Sequence, residues 1–401
     1  VDFQANPEKA IEMSQSISSS TSKDYMIVCA DIRAAKAAKK IIELGGNAID
    51  AVIAAQNVLS VVEPQSSGLG GGGFLLYFNK KYNKLEAWDG REFAPSSAKN
   101  NMFLNADNSK IKFLNAINTD ESIGIPGLYN MLADVHREHG ILKWNKLFED
   151  SLSFSKSFII SKRLSKLLSW ANHIQKDKYA MQIYFNKDKP KKAGDIVNNE
   201  KLYNSLKYLS LNPYSIKEGK LAKSIAKKLN NKVTLEDLQS WKTIKRSPIC
   251  IIYYGYSICG FPPPTSGGVG VLQILGILNK FKNKNNFLLS QHLFLESSRL
   301  AYSDRDTFIA DPAFFDAPVN GLLSNNYLSN RANQINIAKA NHNFSHGNPS
   351  KFKTKDLIKG KNTESPSTTH ISVIDKYGNA AALTSSIEFA FGSGKTVGGF
   401  F

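Results

Sequence analysis

The tightest constraint on the fold lies at residues 368–375, where the side chains alternate in character without a break. Thr368, His370, Ser372 and Ile374 fall on one face, and Thr369, Ile371 and Val373 on the other. A period of two marks a half-buried strand, because successive side chains point to opposite faces of a sheet. Residues 376–379, with Gly378 and Asn379, hold a turn, and residues 380–386 return as a second strand.

Partners for this hairpin are legible far away in the sequence. Residues 25–30 read as a short buried strand. Asp31 caps a helix with Ile32, Ala35, Lys39 and Ile42 near helical spacing, stopped by Gly45 and Gly46. Asn47 opens a second helix, small-residue rich and apolar through Ala51, Ala54, Ala55 and Val58. Residues 74–78 and 85–88 read as adjacent strands, suggesting a sheet edge that builds outward. The middle reads as helical over 129–139, 144–154, 199–209 and 221–229, and Thr234 with Asp237 resembles a capping box. Residues 248–254 and 256–260 predict a hairpin around Gly255, followed by a Pro/Gly loop and helices over 271–281 and 293–301. Residues 323–367 turn polar and predict an exposed, poorly ordered stretch. Strands near both ends with helices between them fit a layered α/β domain whose sheet draws on distant segments.

Composition narrows the function classes. Hydrophobic residues at 42% and charged residues at 21% describe a globular protein, and 401 residues admit one large domain or two ordinary ones. No apolar run is long enough to span a bilayer. The sequence opens on Val1, and the polar residues 14–23 contain no apolar h-region, so a secretory signal is not part of it. A net charge of +17 invites a nucleic-acid partner, but only eight of the 51 basic residues are Arg. Phosphate clamps and base readers lean on Arg and on clustered patches, so the Lys-rich spots at 187–192 and 351–361 read as solvated faces. Cys29, Cys250 and Cys259 lack metal-ligand spacing and read as buried small hydrophobes. A Cys250–Cys259 bridge across the hairpin is the alternative, and the redox compartment stays open.

Several motifs tempt and fail. Gly68, Gly70 and Gly73 satisfy GxGxxG, but they lead into a strand instead of opening a helix, against the dinucleotide-binding context. There the glycines let backbone segments approach closely or offer amides to an anion. Ser96 with Lys99 and Ser153 with Lys156 match S-x-x-K without its companion motifs. His136 and His139 lack the zinc-binding H-E-x-x-H spacing. Pro262, Pro263 and Pro264 before Gly267 and Gly268 read as a rigid turn or a place that presents backbone amides.

Ser365, Pro366, Ser367, Thr368, Thr369 and His370, leading into the alternating strand, form a run that resembles the self-cleavage site of γ-glutamyltransferases. Further blocks fall in family order: 43–51, 64–74 with its four glycines, 90–95, 124–127, 260–268 and 301–305. Each is weak alone, and the ordered series is specific. The resemblance implies a four-layer αββα sandwich of the N-terminal-nucleophile type. It also implies a polar lead-in over 1–23, a large-subunit-like segment over 24–367 and the start of a small-subunit-like segment over 368–401. The family's small segment continues past the position of Phe401 and there supplies a Ser-Ser pair, a Gly-Gly oxyanion site and an acidic substrate ligand, so the sequence resembles a truncated member.

The implied chemistry rests on one residue. A threonine hydroxyl needs an adjacent base. Cutting the Ser367–Thr368 bond gives Thr368 a free amine, with an ordinary pKa of roughly 7.7–8.0, beside its own hydroxyl. By the same resemblance, Arg91 pairs with the α-carboxylate of a γ-glutamyl group, a task that suits the guanidinium fork. Ser386 stands where the family has a Thr that hydrogen-bonds the nucleophile. Glu388 stands where the family has Asn or Glu, contacting the substrate ammonium. The implied activity is hydrolysis or transfer of γ-glutamyl amides such as glutathione, with water, an amino acid or a peptide as acceptor, and with both segments associated after self-cleavage. No cofactor, no metal, no nucleic acid and no membrane span are implied, and the location is periplasmic or secreted. A related acylase (glutaryl-cephalosporin or oxamate type) and a truncated non-catalytic relative are the alternatives.

Overall fold

The computed structural model describes residues 19–281, 287–341, 343–349, 357, 360 and 367–401. The lead-in before residue 19, and most of 350–366 within the polar stretch, lie outside the described residues. The chain forms two compact units, Val1–Lys245 with Ser365–Phe401, and Arg246–Glu364.

In the first unit, strand β1 (Met26–Val28) leads into helix α1 (Ile32–Glu43), capped by the Asp31 carboxylate on the Arg33 amide. Helix α2 (Ala48–Val62) starts from a capping box in which Asn47 and Asp50 satisfy each other's amides. All of α2 is buried, as its small apolar sequence requires. Strands β2 (Gly72–Asn79) and β3 (Lys84–Gly90) follow, then helix α3 (Leu128–His139). Further helices include Lys162–Trp170, Glu200–Leu211 and Gly219–Lys228. Thr234 and Asp237 form the expected capping box on Leu235–Ser240, with Asp serving where Glu or Gln is usual.

The second unit opens with a hairpin of β4 (Ile249–Tyr253) and β5 (Tyr256–Gly260). Tyr254 and Gly255 both have positive φ, as a two-residue turn of the hairpin type demands. Cys250 faces Cys259 across this pair, and the two form a disulfide. Neither is buried, which corrects the reading of these cysteines as core hydrophobes: directly opposed positions on the hairpin bring the sulfurs together at the surface. Cys29 is a free thiol and only partly buried. The helix Gly267–Leu278 begins four residues ahead of the expected position and includes both glycines. A Cβ on Gly268 would overlap the Phe261 carbonyl, so the turn needs glycine there although glycine is a poor helix former. The next helix, Phe287–Phe308, is far longer than the sequence pattern suggests. The polar stretch also contains a helix, Asn325–Ala332, which buries Tyr327, Leu328, Arg331 and Ala332. That corrects its reading as exposed chain: four spaced contacts suffice to bury one face of a polar helix.

The chain returns to the first unit in β6 (Thr369–Ile374) and β7 (Ala380–Ser386). Six strands form the main sheet, and the five made wholly of first-unit residues run β1-β6-β7-β2-β3, each pair antiparallel. The β2–β3 hairpin is therefore not an edge growing outward: β2 lies inside the sheet, paired to β7. The alternation in the last hairpin holds. Thr369, Ile371, Val373, Ala381 and Leu383 are buried on the face that meets α2, while Thr368, His370 and Ile374 are exposed on the other. Asp375 fixes the turn by accepting from the Tyr377 and Asn379 amides, and its other oxygen accepts from Ala48 at the start of α2. One buried carboxylate thus ties the hairpin to the positive end of the helix beneath it.

Candidate active site

The alternation that buries Thr369 leaves Thr368 on the exposed face, with its hydroxyl at the end of β6. Thr368 Oγ1 lies 2.6 Å from the Ser367 carbonyl oxygen and 3.2 Å from Ser386 Oγ. Ser386, at the end of the neighbouring strand, donates to the same Ser367 carbonyl at 2.9 Å and accepts from the Glu388 amide at 2.9 Å. Antiparallel pairing of the two strands places them together, because Thr369 is registered opposite Ser385. The Ser367 hydroxyl in turn donates to the Gln65 carbonyl at 2.6 Å. The peptide bond between Ser367 and Thr368 is therefore held on both sides, and its carbonyl oxygen receives two hydroxyls.

His370 shares the exposed face but does not join this group. Its ring nitrogens contact Thr384 Oγ1 at 2.7 Å and Ser372 Oγ at 3.0 Å, and partial desolvation of the ring against the strand lowers its pKa below the ordinary imidazole value.

The glycine run explains how strands and loop come so close. A Cβ on Gly71 would overlap the Ser386 carbonyl oxygen, and one on Gly73 would lie 2.8 Å from the Thr384 carbonyl. The Gly71 carbonyl also accepts from the Gly127 and Leu128 amides, which joins the loop to the start of α3. The run leads into β2 and serves close backbone approach.

Beside this group lies a cavity of about 240 Å³ whose walls include Arg91, Glu92, Glu388, Lys228 and Lys395. Thr368 and Ser386 are not among its walls; Glu388 makes the connection, through its amide on Ser386. Arg91 stands between two carboxylates, 3.4 Å from Glu92 and 3.6 Å from Glu388. Its guanidinium lies 5.8 Å from the centre of the Phe74 ring, and its carbonyl accepts from the Trp241 indole. Burial raises the Glu92 pKa, Arg91 opposes that rise, and Glu388 reinforces it. Lys228 and Lys395 are held by Asp177 and Asp120. Glu388 has a φ of +68°, a left-handed conformation that non-glycine residues rarely adopt and that clusters at functional sites. Next to this cavity is an apolar one of about 530 Å³, sharing Ser122, Ile387, Glu388, Gly392 and Ser393 and bounded by Phe103, Leu104 and Phe113.

The structure thus brings Ser367, Thr368 and Ser386 into one hydrogen-bonded group and sets Arg91 with Glu388 at the adjoining cavity. Sequence reasoning missed Gln65 and Glu92. Gln65 acts through its backbone carbonyl, which carries no side-chain signature, whereas Glu92 was visible as the acidic neighbour of Arg91. A separate acidic cluster brings Glu86, Glu138 and His139 together. Its carboxylates are already paired, Glu86 with Lys84 and His139, and Glu138 with Lys245.

The class these observations define is a mixed helix-and-sheet fold in which a threonine hydroxyl beside a strand start lies on its own preceding peptide bond. The comparisons narrow the class to one family. The model of the family described as Gamma-glutamyltranspeptidase matches residues 34–401. The glutathione hydrolase proenzyme of Escherichia coli (strain K12) is 32% identical over 392 residues, covering 94% of this chain and 65% of the relative. That of Bacillus subtilis (strain 168) is 31% identical over 385 residues, covering 93% and 66%. The crystal structure of Helicobacter pylori gamma-glutamyltranspeptidase superposes with a TM-score of 0.75 at 26% identity, covering 86% of this chain and 100% of that one. The chain belongs to the gamma-glutamyltranspeptidase family. It spans about two thirds of the length of the curated relatives it matches.

Proposed function

We propose that this chain carries the nucleophile of a self-cleaving γ-glutamyl amide hydrolase and transferase that acts on glutathione and related compounds. The observation that carries the reading is the Ser367 carbonyl, which receives the hydroxyls of Thr368 and Ser386 together.

In the first step Thr368 Oγ1 adds to the Ser367 carbonyl carbon, and Ser386 donates to the oxygen as negative charge builds there. Collapse breaks the carbon–nitrogen bond and leaves an ester on Thr368 Oγ1, and the proton lost by the Thr368 hydroxyl ends on the nitrogen as it becomes a free amine. Water then hydrolyses the ester, freeing a Ser367 carboxylate and a Thr368 with both amine and hydroxyl. That amine serves as the base for the same hydroxyl in turnover. Arg91 binds the α-carboxylate of the γ-glutamyl group and Glu388 its α-ammonium. A cation flanked by carboxylates, as in the Arg91 cavity, suits a zwitterion better than the plain carboxylate of a glutaryl group, which favours the γ-glutamyl reading over an acylase. The apolar cavity beside Glu388 accommodates the leaving group and then the acceptor, water or an amino acid.

On this reading residues 24–367 and 368–401 are the large-segment and small-segment parts of one αββα domain. The exposed face of β6 and β7 is where the second sheet of such a sandwich packs. Their association after cleavage is supported by links such as Asn118 to the Ser393 carbonyl, Asn199 to the Gly399 carbonyl and Asp177 to Thr396. A periplasmic or secreted location is supported by the Cys250–Cys259 disulfide, a bond that persists in oxidising compartments.

The test is mass spectrometry of the full-length protein after expression. A fragment beginning at Thr368, absent from the Thr368→Ala variant, is the expected outcome, with hydrolysis of a γ-glutamyl anilide well above that of a glutaryl anilide. An intact wild-type protein that still turns over substrate would refute the mechanism.

A further inference from the structure

Along α3 a second cavity of about 320 Å³ is walled by Asn130, Asp134, Arg137, Lys217, Glu218 and Trp241, among others. It shares no wall residue with the Arg91 cavity. Its size falls at the lower end of small-molecule sites, about 300–1,000 Å³. Asn130, Asp134 and Arg137 stand at spacings of four and three, so one face of a single helix forms one wall.

Part of this wall is internally satisfied. Asp134 accepts from the Tyr214 hydroxyl at 2.8 Å, from Thr243 Oγ1 at 2.6 Å and from Arg137 Nη2 at 2.8 Å. Arg137 also donates to the Tyr214 hydroxyl at 2.7 Å. These four residues form a closed network that shapes the cavity and offers little to a ligand.

Other groups are left over. Lys217 and Lys242 line the cavity, and among the described residues neither is in an ion pair with a carboxylate. Glu218 is likewise without a cationic partner among the described residues. Asn130 is 2% exposed, and its buried side-chain oxygen has no hydrogen-bond partner, while its nitrogen reaches only the Pro126 carbonyl at 3.5 Å. A buried acceptor left unpaired is costly, and a donor on a ligand would recover that cost. The cavity therefore offers two cations for a carboxylate, and an amide oxygen with a carboxylate for an ammonium.

We infer that this cavity is a second small-molecule site, for a zwitterion the size of a free amino acid, with Lys217 and Lys242 taking its carboxylate and Asn130 and Glu218 its ammonium. It adjoins the catalytic region at the buried Trp241, which stands in its wall and donates its indole N–H to the Arg91 carbonyl at 3.1 Å. The inference concerns binding alone and stands whether or not the γ-glutamyl reading holds.

Ligand-observed NMR titration tests it, using full-length protein carrying Thr368→Ala so that no turnover intervenes, with L-alanine, acetate and methylamine as probes. L-alanine is expected to bind at least tenfold tighter than either single-charge probe. The Lys217→Ala/Lys242→Ala variant is expected to weaken it at least tenfold. Asn130→Leu should do the same; because Asn130 is buried and the lysines are not, the lysine variant decides if Asn130→Leu misfolds. No detectable alanine binding, acetate binding as tight as alanine, or alanine binding unchanged in the lysine variant would each overturn the inference.

Discussion

Ser386 Oγ sits where three hydrogen bonds cross: it donates to the Ser367 carbonyl and accepts from Thr368 Oγ1 and from the Glu388 amide. On the proposed mechanism, removing it takes a donor from the oxygen on which charge builds. Ser386→Ala is expected to slow self-cleavage by about 10²–10³, the usual effect of one oxyanion donor. Ser386→Thr should restore most of the rate, and following the conversion of full-length protein to two fragments over time checks both. A second residue prediction concerns acid. His173 packs 5.3 Å from Phe389 and is pushed down to about 4 by burial, with the Ala390 and Gly392 carbonyls opposing the shift. The unfolded imidazole takes its proton near 6.5 and the folded one only near 4, so acid favours unfolding. Stability is complete above pH 6.5 and is lost as pH falls toward 4, by up to about 3 kcal/mol. His173→Phe should flatten that part of a plot of melting temperature against pH. The placement of Thr368 on the open face and of Thr369 on the buried one was legible from the alternation. Gln65 was not, because only its main chain contributes.

Elements built on local rules were legible, and those built on distant contacts were not. The capping box at Thr234 follows from a residue three positions on, and it is present, and Asn47 opens its helix as its residue type suggests. The early start of Gly267–Leu278 depends on the Phe261 backbone, which no local propensity reports. Gly71 shows how such a distant contact feeds the site. A methyl group there would overlap the Ser386 carbonyl and lie 2.9 Å from Ile387 Cγ2. Gly71→Ala is expected to cost about 1–3 kcal/mol, as overpacking does, and to slow self-cleavage by shifting Ser386. Urea unfolding of the variant and its cleavage time course measure the two effects. A destabilised protein that still cleaved at the wild-type rate would separate the glycine run from the site.

At the scale of the whole chain, the first unit assembles its sheet from strands near both ends of the sequence, with β1 beside β6 and β2 beside β7. A sheet drawn from distant segments could be expected from the scatter of strands, whereas the pairing of β2 with β7 could not, because nothing local to β2 reports it. The partition that sets residues 246–364 apart could not, since no linker-like composition marks Arg246. The second unit has small apolar clusters, around Leu293 and Leu300 and around Val269 and Phe308, and adds a covalent link across its hairpin. A bridge between residues nine apart closes a short loop, and the chain-entropy treatment gives it about 2–3 kcal/mol. That stabilisation acts on the unit containing the hairpin, so reduction should loosen it selectively. In hydrogen-exchange mass spectrometry, a reductant or the Cys250→Ser/Cys259→Ser variant is expected to speed exchange in β4, β5 and the helix Gly267–Leu278. Amides of α2 and β7, buried in the first unit, should exchange at the same rate with the bridge intact or broken. Equal acceleration in both units would mean that the disulfide stabilises the molecule as one cooperative whole and that the two units are not independent in unfolding.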